Sequence, residues 1–123
     1  MRPAAIPLVL ALLALPGCDT VYIAASCGID ITPALVATVR DAATNEPLTS
    51  GVRAIAREGD WADTTYSTPG GGHDYVLAEG RPGVYTLTVD HAGHATWTRI
   101  GLVVRSEGCQ IVTVFVSVSM QGA

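Results

Sequence analysis

The chain has 123 residues, a length that suits one domain, and 49% of them are apolar, which fits a packed core and argues against disorder. Its formal net charge is −4 and all seven of its cations are arginine. An acidic chain of this kind has little with which to neutralise phosphates, so nucleic acid is not an expected partner.

The first element is an apolar run, Ile6-Pro7-Leu8-Val9-Leu10-Ala11-Leu12-Leu13-Ala14-Leu15, preceded by the single charge of Arg2. A membrane-spanning helix needs about 20 apolar residues, and this run is too short. It has the length of the hydrophobic region of a secretory signal. The residues after it, Leu15-Pro16-Gly17-Cys18, resemble the lipobox of bacterial lipoproteins, with Leu at −3, a small residue at −1 and Cys at +1. Pro16 departs from the Ala or Ser usual at −2. The resemblance implies that the Cys18 thiol receives a diacylglyceryl group and that cleavage then frees its amine. Each buried CH₂ contributes about 0.8 kcal/mol, and two chains suffice for stable anchoring. The expected organisation is a signal peptide over 1–17, a lipidated Cys18 with a short tether over 18–26, and a folded domain over 27–123. The expected address is the cell envelope, lipid-anchored on the periplasmic side or the cell surface. Asp19 resembles the inner-membrane retention signal of enterobacterial lipoproteins, a rule that other bacteria do not follow, so the choice of membrane stays open. The alternative is an ordinary signal peptide with Cys18 in a disulfide.

Three cysteines, at 18, 27 and 109, make an odd number for an exported chain. Lipidation of Cys18 leaves Cys27 and Cys109 as the natural pair, in a compartment where disulfides persist.

From residue 35 onward the period is two. Leu35, Ala37 and Val39 alternate with Val36, Thr38 and Arg40, and Val52, Ala54 and Ala56 alternate with Arg53, Ile55 and Arg57. Turns are expected over 41–47 and 58–60, a short strand over 61–66, a glycine-rich loop over 67–72 and a strand over 73–78. After a turn at 81–83, Tyr85, Leu87 and Val89 give the clearest alternation in the chain. A turn at 92–94 leads to a strand over 95–105 with Ile100, Leu102 and Val104 on one face and Trp97 on the other. A turn at 106–108 leads to the last strand, with Val112, Val114, Val116 and Val118 inward and Thr113, Phe115 and Ser117 outward. About seven short strands with no helical period predict an all-β, antiparallel, seven-stranded β-sandwich.

Two stretches carry a further likeness. Val36 to Leu48, with the run Val39-Arg40-Asp41-Ala42-Ala43-Thr44-Asn45-Glu46-Pro47-Leu48, and Arg81-Pro82-Gly83-Val84-Tyr85-Thr86-Leu87-Thr88-Val89 resemble the opening strand and the Pro-Gly-x-Tyr strand of carboxypeptidase regulatory-like domains. Asn45 stands where Gly is common, and either residue tolerates a positive φ. Gly93-His94 stands where that family often has Gly-Tyr. The resemblance implies the transthyretin (prealbumin) fold and an accessory module that binds or supports; these motifs speak to fold far more than to function.

No catalytic residue, metal ligand or cofactor is expected. His91 and His94 flank a turn, and His73 lies beside Asp74 and a glycine run, so all three are expected as exposed loop or strand-end side chains. No His-x-x-x-His, Cys-x-x-Cys or Gly-x-Ser-x-Gly run is present. Hydroxyisourate hydrolases share the transthyretin fold but end in Tyr-Arg-Gly-Ser, whereas this chain ends Ser119-Met120-Gln121-Gly122-Ala123. The expected function is that of a non-enzymatic envelope lipoprotein, with the membrane as partner through Cys18 and an envelope protein or glycan as a second partner. The loops at 41–47, 69–72 and 91–94 are the expected contact surface. The alternatives are a hydrolase on the same scaffold and a carbohydrate- or peptidoglycan-binding module using Trp61, Tyr66 and Trp97.

Overall fold

A computed structural model describes residues 31–123. The expected signal peptide, Cys18, the expected tether and Cys27 lie outside the described residues. Nine strands and no helix occur among those described: β1 (Leu35–Asp41), β2 (Val52–Glu58), β3 (Trp61–Tyr66), β4 (Asp74–Leu77), β5 (Gly83–His91), β6 (Trp97–Val104), β7 (Ser106–Glu107), β8 (Gln110–Ile111) and β9 (Val114–Met120). They form a three-stranded sheet, β4-β1-β9, a four-stranded sheet, β3-β2-β5-β6, and the small hairpin β7-β8. The domain is therefore all-β with its strands in several sheets.

The alternation seen in the sequence builds the core. Leu35, Ala37 and Val39 of β1, Tyr75 and Leu77 of β4, and Val116, Val118 and Met120 of β9 turn inward from one sheet. Val52, Ala54 and Ala56 of β2, Tyr85, Leu87 and Val89 of β5, and Val104 of β6 turn inward from the other, and all belong to one buried cluster. Each large apolar side chain in it contributes about 1.5–3 kcal/mol by leaving water. The two buried tyrosines keep their hydroxyls satisfied: Tyr75 donates to Leu48 O at 2.8 Å and Tyr85 to Arg81 O at 2.6 Å.

Four local expectations are corrected. The sheets are not wholly antiparallel, because β1 and β9 run parallel in register from Leu35↔Val114 to Asp41↔Met120. These strands are distant in sequence, so no hairpin constrains their relative direction. Trp97 faces inward beside Val89, while Ile100 is 78% exposed. The cause is a bulge: Tyr85 pairs with Leu102 but Leu87 pairs with Arg99, so β6 carries an extra residue, and Gly101 takes φ +78°. The extra residue switches the face of everything before it. The expected turn at 106–108 lies instead within the β7–β8 hairpin. Val112 is not inward but 36% exposed, because the ladder with β1 starts only at Val114, and Thr113 donates to Pro33 O at 2.7 Å rather than facing out.

Candidate functional site

The turn after β1 is set by Asp41. Its Oδ1 accepts the backbone N–H groups of Ala43 at 2.8 Å and Thr44 at 2.9 Å, and Asn45 adopts φ 63°. This Asx arrangement closes the turn without help from the core. The other two loops expected as contact surface are drawn to the same end of the domain. His73, which ends the glycine-rich loop, lies 3.2 Å from Arg40 Nη2, and its carbonyl accepts from Val39 N at 3.1 Å. The β5–β6 turn reaches the same end through His94. Between the β1–β2 and β3–β4 connections lies a cleft of about 560 Å³. Its walls carry the hydroxyls of Thr49, Ser50, Ser67 and Thr68 and the bare backbone of Gly70 and Gly71. Such a surface offers donors and acceptors without charge, the chemistry that suits a neutral, hydroxyl-bearing group.

Beside the cleft, a carboxylate and two imidazoles form a chain. His94 Nε2–H donates to Asp41 Oδ2 at 2.7 Å, and the Nδ1 atoms of His94 and His91 lie 2.8 Å apart with the rings edge to face. Ala92 O lies 3.3 Å from His94 Nδ1. A carboxylate and a carbonyl oxygen can only accept: doubly protonated, His94 donates to Asp41 and toward Ala92 O and His91 Nδ1 accepts, whereas with its proton on Nε2 alone it keeps the Asp41 bond and accepts from His91 Nδ1–H. The charge-assisted bond from His94 is the main reason the Asp41 carboxyl is lowered to about 2, with the turn N–H of Thr44 next in weight. The same bond raises His94 above its ordinary value.

The expectation that His91 and His94 are merely exposed is corrected: the His94 side chain is 12% exposed and bonded on both ring nitrogens. Asp41 was not singled out from sequence as more than part of a turn. A signal for it existed, because Asp41 continues the inward row of Leu35, Ala37 and Val39, just as His91 continues that of Tyr85, Leu87 and Val89. His73 stands apart from this chain, on Arg40. Among the described residues no group of three His, Cys, Asp or Glu side chains is arranged to hold a metal ion. Cys109 sits in the β7–β8 turn and is exposed.

The aromatic residues do not share a platform. Trp61 pairs with Glu58 at the β2–β3 hairpin, where it meets Tyr85 edge-on at 6.1 Å and lies under the Arg81 guanidinium at 4.2 Å. Trp97 pairs with Val89 toward the other end of the sheet, and Tyr66 is exposed on β3. The chain matches no protein-family model, and no curated protein matches its sequence.

Proposed function

We propose that this is a non-enzymatic lipoprotein of the cell envelope, held to a membrane through Cys18, whose domain is a transthyretin-like β-sandwich of the carboxypeptidase regulatory-like kind acting as a binding or structural module. The observation that carries this reading is a cleft walled by two separate connections, β1–β2 and β3–β4, on a core of packed strands, in a chain whose apolar N-terminal run is followed by Leu15-Pro16-Gly17-Cys18. Loops fixed on a rigid scaffold are the usual seat of recognition. The uncharged walls favour an envelope glycan or a polar protein segment. A Cys27–Cys109 disulfide would tie the start of the domain to the β7–β8 turn.

A hydrolase reading draws on the Asp41–His94 pair, which has the orienting half of an acid–base couple. The bonds of both imidazoles, however, run to Asp41, to each other and to a backbone carbonyl, which makes them a bridge between elements.

Three measurements test the proposal. The mature N-terminus by mass spectrometry is expected to begin at a diacylglyceryl-modified Cys18, and Cys18→Ser is expected to move the protein from the membrane to the soluble fraction. A photoreactive residue placed at Thr68, in the cleft, is expected to form an envelope adduct in intact cells, and one at Thr98, on the outer sheet face, is not. An unmodified N-terminus elsewhere, or equal labelling from both positions, refutes the reading.

A further inference from the structure

We propose that Asp41, His94 and His91 form a proton-operated latch that locks the loop end of the domain. As a regulator of the contact surface it rests on the function proposed above; as a conformational device it can be read without any ligand. Asp41 ends the inward row of β1, in the three-stranded sheet, and His91 ends the inward row of β5, in the four-stranded sheet. His94 bonds to both, so the chain of hydrogen bonds crosses from one sheet to the other over the end of the core.

The same turn holds the C-terminal tail. Ala95 N donates to Gln121 O at 2.8 Å, Ala123 N donates to Gly93 O at 3.1 Å, and His94 bridges to Gly122. Ala42 N, one residue past Asp41, donates to Met120 O at 2.9 Å. Gly51, on the cleft wall, is backed by the His91 ring, which a Cβ at that position would meet at 3.6 Å. Movement of His94 therefore reaches the tail, the β1–β2 turn and the cleft together.

The chemistry of the imidazole sets the closed state. Doubly protonated, His94 donates at both ends. Loss of the Nδ1 proton removes the cation that pairs with the Asp41 carboxylate, leaves Nδ1 facing Ala92 O with a lone pair, and keeps the contact to His91 only by reversing it, so that His91 Nδ1–H donates. Other charged groups on the surrounding elements do not offset this. Asp90, next to His91 on β5, is held on the outer face by Arg53 of β2 at 2.6 Å and by Thr96 at 2.8 Å. Arg40, next to Asp41 on β1, is turned to His73 and to Asn45 O. Glu46 lies exposed in the β1–β2 turn. Asp41, bonded directly to His94 Nε2, favours the cation.

The test uses the mature chain from position 18 in detergent, across roughly pH 5 to 9, the range in which imidazoles titrate. Histidine-ring NMR is expected to show His94 titrating above an ordinary imidazole. Amide exchange, corrected for its intrinsic pH dependence, is expected to show protection at Ala95 and Ala123 falling about tenfold as His94 loses its proton. Asp41→Asn keeps the Oδ1 acceptor that builds the turn but removes the charge, and is expected to lower the His94 midpoint. His94→Gln is expected to give weak tail protection at every pH. Tail protection that stays constant while His94 titrates overturns the latch, as does a His94 midpoint unmoved by Asp41→Asn. Neither result depends on whether Thr68 labels a partner, so the latch and the contact surface fail separately.

Discussion

Replacing Tyr85 by Phe removes one oxygen from a side chain that is 0% exposed and leaves its ring in place. The lost hydroxyl donates to Arg81 O at 2.6 Å, within a cluster at the end of the domain away from the latch. There the Arg81 guanidinium covers Trp61 and bonds Glu58 at 3.0 Å, while Glu58 also accepts Val84 N at 3.1 Å. The missing hydrogen bond costs about 0.5–1.5 kcal/mol, and stranding the Arg81 carbonyl brings the total to about 1–2 kcal/mol. Tyr85→Ala also removes the ring that Trp61 meets edge-on, and is expected to cost about 3–5 kcal/mol. In a domain of this size each kcal/mol lowers Tm by about 4–8 °C, so the Phe variant is expected to melt roughly 4–16 °C lower. Urea unfolding followed by tryptophan fluorescence gives the free energies, with Trp61 as a reporter beside the mutated site. A Phe variant within about 0.3 kcal/mol of the parent, or an Ala variant no weaker than the Phe variant, refutes this account of the cluster.

Three further outcomes are expected. The Asp41 carboxyl is lowered from 3.8 to about 2, so its contribution is complete above 3.8 and is lost as pH falls through about 2. His94 is raised above 6.5, so its contribution is complete below 6.5 and is lost as pH rises through its folded value. The urea midpoint of the parent is therefore expected to be highest in the interval between these limits, and the profile of His94→Gln to be flatter at both ends. Reducing a Cys27–Cys109 disulfide is expected to remove up to about 4–5 kcal/mol by the chain-entropy model, and non-reducing peptide mapping shows directly whether the bond is present. Gly101→Ala places a side chain at φ +78° and is expected to cost about 1–2 kcal/mol, whereas Ile100→Thr, one residue away and solvent-exposed, is expected to change stability little; chemical denaturation compares the two.

The strands were legible in the sequence because each is a local pattern. Alternation in Leu35–Val39, Val52–Ala56 and Tyr85–Val89 states which side chains avoid water, and those residues do form the core. The turn at Asp41 was equally legible, since Asp, Thr and Asn close it through bonds within a few residues. The resemblance to carboxypeptidase regulatory-like domains went further than pattern, and the all-β part of what it implied is what the structure bears out. The phase of β6 was not legible, because a bulge at Gly101 inserts one residue, and a period-two reading has no means of detecting an insertion whose cause is the partner strand.

The sequence alone determined the positions of the main strands and most of the core. Only the tertiary structure decided that β1 and β9 run parallel, since their pairing joins segments almost eighty residues apart and no local rule sets its direction. The tertiary structure likewise decided that Asp41 and His94, 53 residues apart, share a proton-rich bond. Burial follows from each residue's own chemistry and can be read along the chain. Polar contacts between distant turns follow from where the sheets end, and that is settled when the two inward rows close on one core.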